Sequence, residues 1–191
     1  MTTTPTDKLV IGLAGMPGSG KSLIVNTAKQ LGYAIITMGD IVRQETANKG
    51  LEPTPENIGK TMLELRHKEG ESIIAKRCIP KIEKTSQNKV IVDGIRSLSE
   101  AEEFKRHYPR FTLIAVHASP ETRFKRLYRR QRSDDSPDWK TFQERDTREL
   151  NVGLGNAISM AEHIIINEET PDTAITKTRE ALRKVEAKWT K

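Results

Sequence analysis

The stretch that decides the fold is GMPGSGKS, residues 15–22. It follows an apolar run, LVIGLA (9–14), and opens a pattern with Leu23, Ile24, Ala28 and Leu31 on one helical stripe that stops at Gly32. Strand, glycine-rich turn and helix in that order, with Gly15, Gly20, Lys21 and Ser22 at the spacing Gly-x-x-x-x-Gly-Lys-Ser, make the Walker A phosphate loop in its expected context. Backbone N–H groups of such a loop surround a phosphate only when side chains stay clear, which is the reading given to Gly15, Gly18 and Gly20. The helix N-terminus adds partial positive charge. The loop Gly15-Met16-Pro17-Gly18-Ser19-Gly20 is therefore expected to hold ATP, with Lys21 bridging the β- and γ-phosphates and Ser22 ligating Mg²⁺. On its own this serves a kinase, a GTP switch or a motor equally well.

Four more β-rich runs follow: AIITM (34–38), VIVD (90–93), TLIAVH (112–117) and HIIIN (163–167). Several lack polar alternation, which fits strands buried on both faces of a parallel sheet, with helices between them. The last helix starts at Thr170-Pro171 and carries Ile175, Thr178, Leu182, Val185 and Trp189 on one stripe. About fifty residues separate the second and third runs, more than one crossover helix needs. A helical lobe is expected there, including TPENIGKTMLELRHKEG (54–70), with a Thr54-Pro55 start and a Gly70 stop. A second insertion, SDDSPDWKTFQERDTREL (133–150), precedes the glycines of NVGLGN (151–156).

The 191-residue chain suits one domain. It carries a formal charge of +6, with 35% apolar and 30% charged residues, an ordinary soluble composition. No apolar run approaches the ~18 residues of a membrane span. The start, MTTTPTDK, lacks a secretory pattern and reads as a frayed tail. A cytoplasmic protein without a membrane partner is the expectation. Cys78 is the one cysteine, so no internal disulfide forms, and His67, His107, His117 and His163 have no metal-ligand spacing. Oligomeric state has no sequence signal here.

Asp93, closing VIVD, is the expected Walker B carboxylate beside Mg²⁺. Gly94 follows it, where motor ATPases usually carry an acidic residue to orient water, and no Asn-Lys-x-Asp run exists to specify guanine. Both features favour a kinase over a motor or a switch. GDIVR (39–43) brings Gly39, Asp40 and Arg43, and DGIR (93–96) brings Arg96, to the carboxyl ends of strands, where ligands of open parallel sheets bind. Two arginines facing a phosphate loop point to a second anionic substrate.

Six of the ten residues in RFKRLYRRQR (123–132) are basic. Arg123, Arg126 and Arg130 share one helix face and are expected toward the nucleotide; Lys125, Arg129 and Arg132 lie on another flank. Nucleic acid is a candidate partner for this stretch, less favoured than a polyanionic small molecule because no RNA-module signature accompanies it. Arg145 and Arg148 in ERDTREL are expected to close over the transferred phosphoryl group, the alternative being pairing with Glu144 and Glu149.

With these residues in view, the chain resembles the P-loop nucleotide kinases of the adenylate kinase and dephospho-CoA kinase kind, particularly an archaeal family of adenylate-kinase-related proteins. MGDIVR is similar to the Thr-Gly-Asp-x-x-Arg of adenylate kinases, and VDGIR to their Asp-Gly-Phe-Pro-Arg. SPETRFKRLYRR and AEHIIIN are similar to dephospho-CoA kinase elements. The resemblance implies a three-layer fold on a five-stranded parallel sheet: a core of residues 8–39, 87–128 and 158–191, an acceptor-binding insertion at 40–86 and a lid at 129–157. It implies MgATP on Gly15 to Ser22 and Asp93, with Arg126 on the nucleotide side. Gly39, Asp40, Arg43 and Arg96 would bind the acceptor, Arg43 and Arg96 holding its phosphate, and Arg130, Arg145 and Arg148 would serve transfer. The expected activity is phosphoryl transfer from ATP to a nucleoside monophosphate or related adenosine phosphate. One alternative is a dephospho-CoA-type kinase acting on a ribose hydroxyl, with Asp40 as base; another is a nucleotide-binding regulatory or RNA-associated protein. Met38 replaces the adenylate kinase threonine, and DGIR is one residue shorter and lacks the proline.

Overall fold

The computed structural model describes residues 7–130 and 138–189. Its organising element is β1 (Leu9–Ala14), buried at every position. A strand with no polar alternation needs neighbours on both edges and helices on both faces, and β1 has them. It pairs in parallel with β3 (Lys89–Ile95) on one side and β4 (Phe111–His117) on the other. β2 (Ala34–Thr37) flanks β3 and β5 (His163–Ile166) flanks β4, giving the order β2-β3-β1-β4-β5, all parallel. On the edge strand β5 burial alternates: Ile165 points into the core while Ile164 and Ile166 are exposed.

The period of two along β1 divides the core. Leu9, Ile11 and Leu13 face a layer formed with Ile24 and Ala28 of α1 (Lys21–Gln30) and Leu182 and Val185 of α9 (Pro171–Lys188). Val10 and Ala14 face the opposite layer, which takes in α2 (Met38–Asn48), α3 (Pro55–Glu69), α4 (Ile73–Glu83), α5 (Leu98–His107) and α8 (Leu154–Ser159). Helix ends follow local chemistry: the Thr54 hydroxyl accepts from the Asn57 N–H and Gly70 ends α3, while the Thr170 hydroxyl accepts from the Thr173 N–H at the start of α9.

Three helices, α2, α3 and α4, fill the stretch between β2 and β3. α6 (Pro120–Arg130) and α7 (Trp139–Asn151) are held together by Phe124, Trp139 and Phe142, whose rings meet edge-on or tilted at 5.1–5.6 Å. The part of the expected lid around residues 131–137, with Arg132, and the N-terminal tail up to residue 6 lie outside the described residues. β3 does not end at Asp93. Gly94, at φ 103°, puts an irregularity into its pairing with β1, and the strand continues to Ile95.

Candidate active site

The loop of residues 15–20 joins β1 to α1, whose first turn has neither a side-chain cap nor an acidic residue. Its N–H groups therefore face an anion site unopposed. The outer side of the loop is packed, which sharpens the reason for its glycines. A Cβ on Gly15 would lie 2.6 Å from the Val116 carbonyl oxygen, one on Gly18 2.7 Å from the Arg123 carbonyl oxygen, and one on Gly20 2.1 Å from Nδ2 of Asn167. Asn167, just past β5, donates to the Ser19 carbonyl at 2.9 Å. Arg123 donates to the Pro17 carbonyl at 3.2 Å and to the Ala118 carbonyl at 3.1 Å, and it pairs bidentately with Asp146 of α7. The loop is thus clamped from behind by α6 and by the end of β5.

Arg123 is a correction: it is expected toward the nucleotide, but it is buried and braces the loop from outside. Its partner Asp146 lies 23 residues away.

Lys21 donates to the Gly15 carbonyl and, at 3.4 Å, to the Met16 carbonyl. Burial pushes its ammonium down to about 8, opposed by the carboxylates of Asp93 and Glu149 and reinforced by Arg96 and Arg145. Burial likewise raises the Asp93 carboxyl above its ordinary range, against the pull of Lys21 and Arg96. Oδ1 of Asp93 is buried without a hydrogen-bond partner. A buried, unused carboxylate oxygen on the cleft wall that also carries the Ser22 side chain suits Mg²⁺, which takes one or two protein oxygens and keeps its waters. Among the described residues no cluster of three or more His, Cys, Asp or Glu side chains could cage a metal on its own.

In front of the loop lies a cleft of about 450 Å³. Of the residues singled out from sequence, it gathers Gly15, Pro17, Gly18, Gly20, Lys21, Ser22, Gly39, Arg43, Asp93, Arg96, Arg126, Arg130 and Arg145. Met16 and Ser19 belong to the loop without lining the cleft, Ser19 being buried behind it. Arg148 stands on the exposed side of α7, while Arg145, nearly one turn earlier, reaches the cleft. Asp40 does not line the cleft but is near enough to Asp93 to push its carboxyl up; its own carboxylate is engaged by Arg43 across i,i+3 on α2, both side chains at least half exposed.

Several side chains on or beside the cleft have partners that only the fold reveals. Arg66 of α3 and Glu100 of α5 form an ion pair with side chains only 5% and 1% exposed, and the second oxygen of Glu100 accepts from the Arg96 N–H at 2.8 Å. Burial raises the Glu100 carboxyl while Arg66 opposes it. Glu149 does not pair with its helix neighbours. Its Oε2 sits 3.5 Å from Nε of Arg96, whose Nη1 also reaches the Met62 sulfur at 3.7 Å. Arg96 thereby links α3 to α7. Asn167 and Arg126 touch as well, Arg126 donating to Oδ1 at 3.3 Å. The strand-end asparagine was visible in AEHIIIN, but only the fold shows that it anchors the loop.

Residues 14–143 match the family model described as an AAA domain. A UPF0200 protein of Methanocaldococcus jannaschii is 45% identical over 179 residues, 93% of this chain and 90% of its own length. One of Thermococcus onnurineus is 41% identical over 93% of this chain and 98% of its own. Among solved structures, a protein of Thermus thermophilus superposes with a TM-score of 0.64 at 18% identity, covering 96% of this chain and 99% of its own. The shikimate kinase of Acinetobacter baumannii gives 0.60 at 15% identity, covering 96% of each chain. A gluconokinase of Sinorhizobium meliloti gives 0.56 at 14%, covering 93% of this chain and 94% of its own. At such identities these structures establish the fold. No helix among the described residues is long and apolar enough to cross a membrane.

Proposed function

We propose, for a chain that belongs to the UPF0200 family and carries an AAA domain of kinase-like fold, that it transfers the γ-phosphoryl group of ATP to a small-molecule acceptor, a nucleoside monophosphate or related adenosine phosphate. The observation that carries this reading is a cleft lined both by Lys21 and the phosphate loop and by Arg43 and Arg96. Such a lining supports a donor seat and an anionic acceptor seat in one space.

The loop N–H groups hold the donor phosphates, and Lys21 exchanges its loop carbonyls for phosphate oxygens. Ser22 and Asp93 are the residues that would hold Mg²⁺, whose contribution is charge neutralisation at the phosphates. Arg126, Arg130 and Arg145 face the same space from α6 and α7 and offset charge spread over the transferring oxygens. A phosphate acceptor is its own nucleophile and needs no base.

A ribose or other hydroxyl acceptor is the second reading, and it does need a base. Asp40 does not line the cleft, and its carboxylate is engaged by Arg43. The favouring observation is Glu149, a carboxylate on the cleft wall. The polynucleotide-binding alternative loses support because the basic stretch is divided: Arg123 is buried, Arg126 and Arg130 line the cleft, and only Lys125 and Arg129 stand exposed outside it among the described members.

The test is to mix the protein with MgATP and a panel of ribo- and deoxyribonucleoside monophosphates and dephospho-CoA, following ADP and the phosphorylated product. A phosphorylated product that vanishes in Lys21→Ala is expected. ADP formation at the no-acceptor level with every panel member, while the protein still binds MgATP, refutes the assignment to these acceptors.

A further inference from the structure

Three carboxylates line the cleft: Asp93, Glu100 and Glu149. Asp93 stands beside Ser22 and Lys21, where it suits Mg²⁺. Glu100 is saturated, one oxygen taken by Arg66 and the other by the Arg96 N–H. Glu149 differs from both. Its side chain is 14% exposed, and Oε2 lies at ion-pair distance from Arg96 yet accepts no hydrogen bond. It is close enough to Lys21 to act on that ammonium alongside Asp93. A carboxylate oxygen with unused lone pairs thus lies beside the acceptor-side arginine and within electrostatic reach of the donor lysine.

The chain lacks an acidic residue after Asp93, and Gly94 cannot orient a nucleophile. The fold brings Glu149 from α7, more than fifty residues away, into the same cleft. From this geometry we infer that Glu149 is the group that takes the proton from an attacking O–H, and that the protein therefore hydrolyses MgATP, with water as acceptor, when no other acceptor fills the cleft. This rests on the phosphotransferase reading of the same cleft.

In the step, the water or hydroxyl oxygen forms a bond to the γ-phosphorus as the bond from that phosphorus to the β,γ-bridging oxygen breaks, its electron pair leaving with ADP. The proton of the attacking oxygen passes to Oε2 of Glu149 and is afterwards released to solvent. The products are ADP and either inorganic phosphate or the phosphorylated alcohol. Arg96 orients the carboxylate, while Lys21, Arg130 and Arg145 face the same space with positive charge. Because Glu149 is on α7 and the loop is braced through Asp146 on the same helix, one helix sets both the donor loop and the proton acceptor.

The experiment compares wild type, Glu149→Gln and Glu149→Ala in a phosphate-release assay with MgATP alone, with MgATP affinity measured separately using a non-hydrolysable analogue. Wild type is expected to release phosphate. Both variants are expected to lose about 100-fold in rate, the usual lower range for a positioned base, with affinity within about threefold. Added formate should restore part of the rate to Glu149→Ala and none to Glu149→Gln, which keeps the shape but cannot accept the proton. Variants that hydrolyse at or above the wild-type rate, variants that lose MgATP binding together with turnover, or a Glu149→Ala rate indifferent to formate each overturn the assignment. So does a wild type that binds MgATP and releases no phosphate. That last result leaves the transfer reading to stand or fall on its acceptor panel.

Discussion

Lys21→Met should make the nucleotide-free protein more stable, and the gain should depend on pH in a defined direction. The Lys21 ammonium is pushed from its ordinary 10.5 down to about 8, chiefly by burial. Each pH unit of that fall is about 1.4 kcal/mol, so the fold disfavours the charged form by about 3 kcal/mol. The side chain keeps some contact with solvent, which screens part of this to roughly 2 kcal/mol. Losing its bonds to the Gly15 and Met16 carbonyls costs about 1 kcal/mol. The net gain on replacing it with an apolar chain of similar length is about 1 kcal/mol, or about 2–4 °C in Tm for a chain of this size. Below pH 8 both folded and unfolded wild type carry the proton, so the variant shows its whole advantage. Between about 8 and 10.5 the unfolded chain holds the proton that the folded one has shed, so wild-type stability climbs with pH and the advantage shrinks. Thermal unfolding of both proteins at pH 7 and pH 10, without nucleotide, measures the gap. A variant that is less stable at pH 7, or a gap that stays constant between the two pH values, refutes the reasoning. With MgATP present the order should reverse, because wild type alone gains the stabilisation that binding confers.

Asn167→Ala removes the donor to the Ser19 carbonyl and should weaken MgATP binding about tenfold by calorimetry, a loss of the size of one buried hydrogen bond. Gly20→Ala should abolish MgATP-induced stabilisation in a thermal shift, since a Cβ there meets Asn167 at 2.1 Å with the backbone at φ 96°; combining it with Asn167→Ala removes the collision but not the backbone strain, so rescue should be partial. Arg66→Met or Glu100→Leu alone should cost about 3–5 kcal/mol in denaturant unfolding because each strands a buried charge, whereas the double variant should recover most of that, short of the Arg96 N–H contact. Arg145→Ala should lower phosphoryl transfer by an order of magnitude or more, with Arg148→Ala within about twofold of wild type, as only Arg145 reaches the cleft.

The fold was legible because its signals are continuous in sequence. LVIGLA, VIVD and TLIAVH are apolar without alternation, and they form the three inner strands. Thr54-Pro55 with Gly70 and Thr170-Pro171 mark helix ends by local hydrogen bonds that need no tertiary context. The glycine-rich loop was legible for the same reason: its eight residues, 15–22, are adjacent. Expectation and structure part company over single side chains whose partners are distant. Arg123 and Arg126 are three apart on one helix, yet Asp146 draws the first behind the loop while the second stays on the cleft. No periodicity along α6 could separate them, because the separation is made by α7.

The same physics bears on arginine. Spacing and position point seven arginines at anionic groups, and the fold gives several of them carboxylates of its own: Arg43 takes Asp40, Arg96 takes Glu149, and Arg123 takes Asp146. These pairs differ in what they can yield. Arg123–Asp146 is largely buried, and separating it would strand a charge, so it is costly to open and braces the loop. Arg43–Asp40 is exposed and contributes little to stability, so an anion entering the cleft can draw Arg43 away at small cost. Arg96–Glu149 lies between these extremes, with Arg96 43% exposed and Glu149 14%. Its carboxylate oxygen accepts no hydrogen bond, so Arg96 holds it more loosely than Arg123 holds Asp146 while keeping it on the cleft. The division of labour in this cleft is therefore set by the burial of each ion pair rather than by the count of basic residues around it.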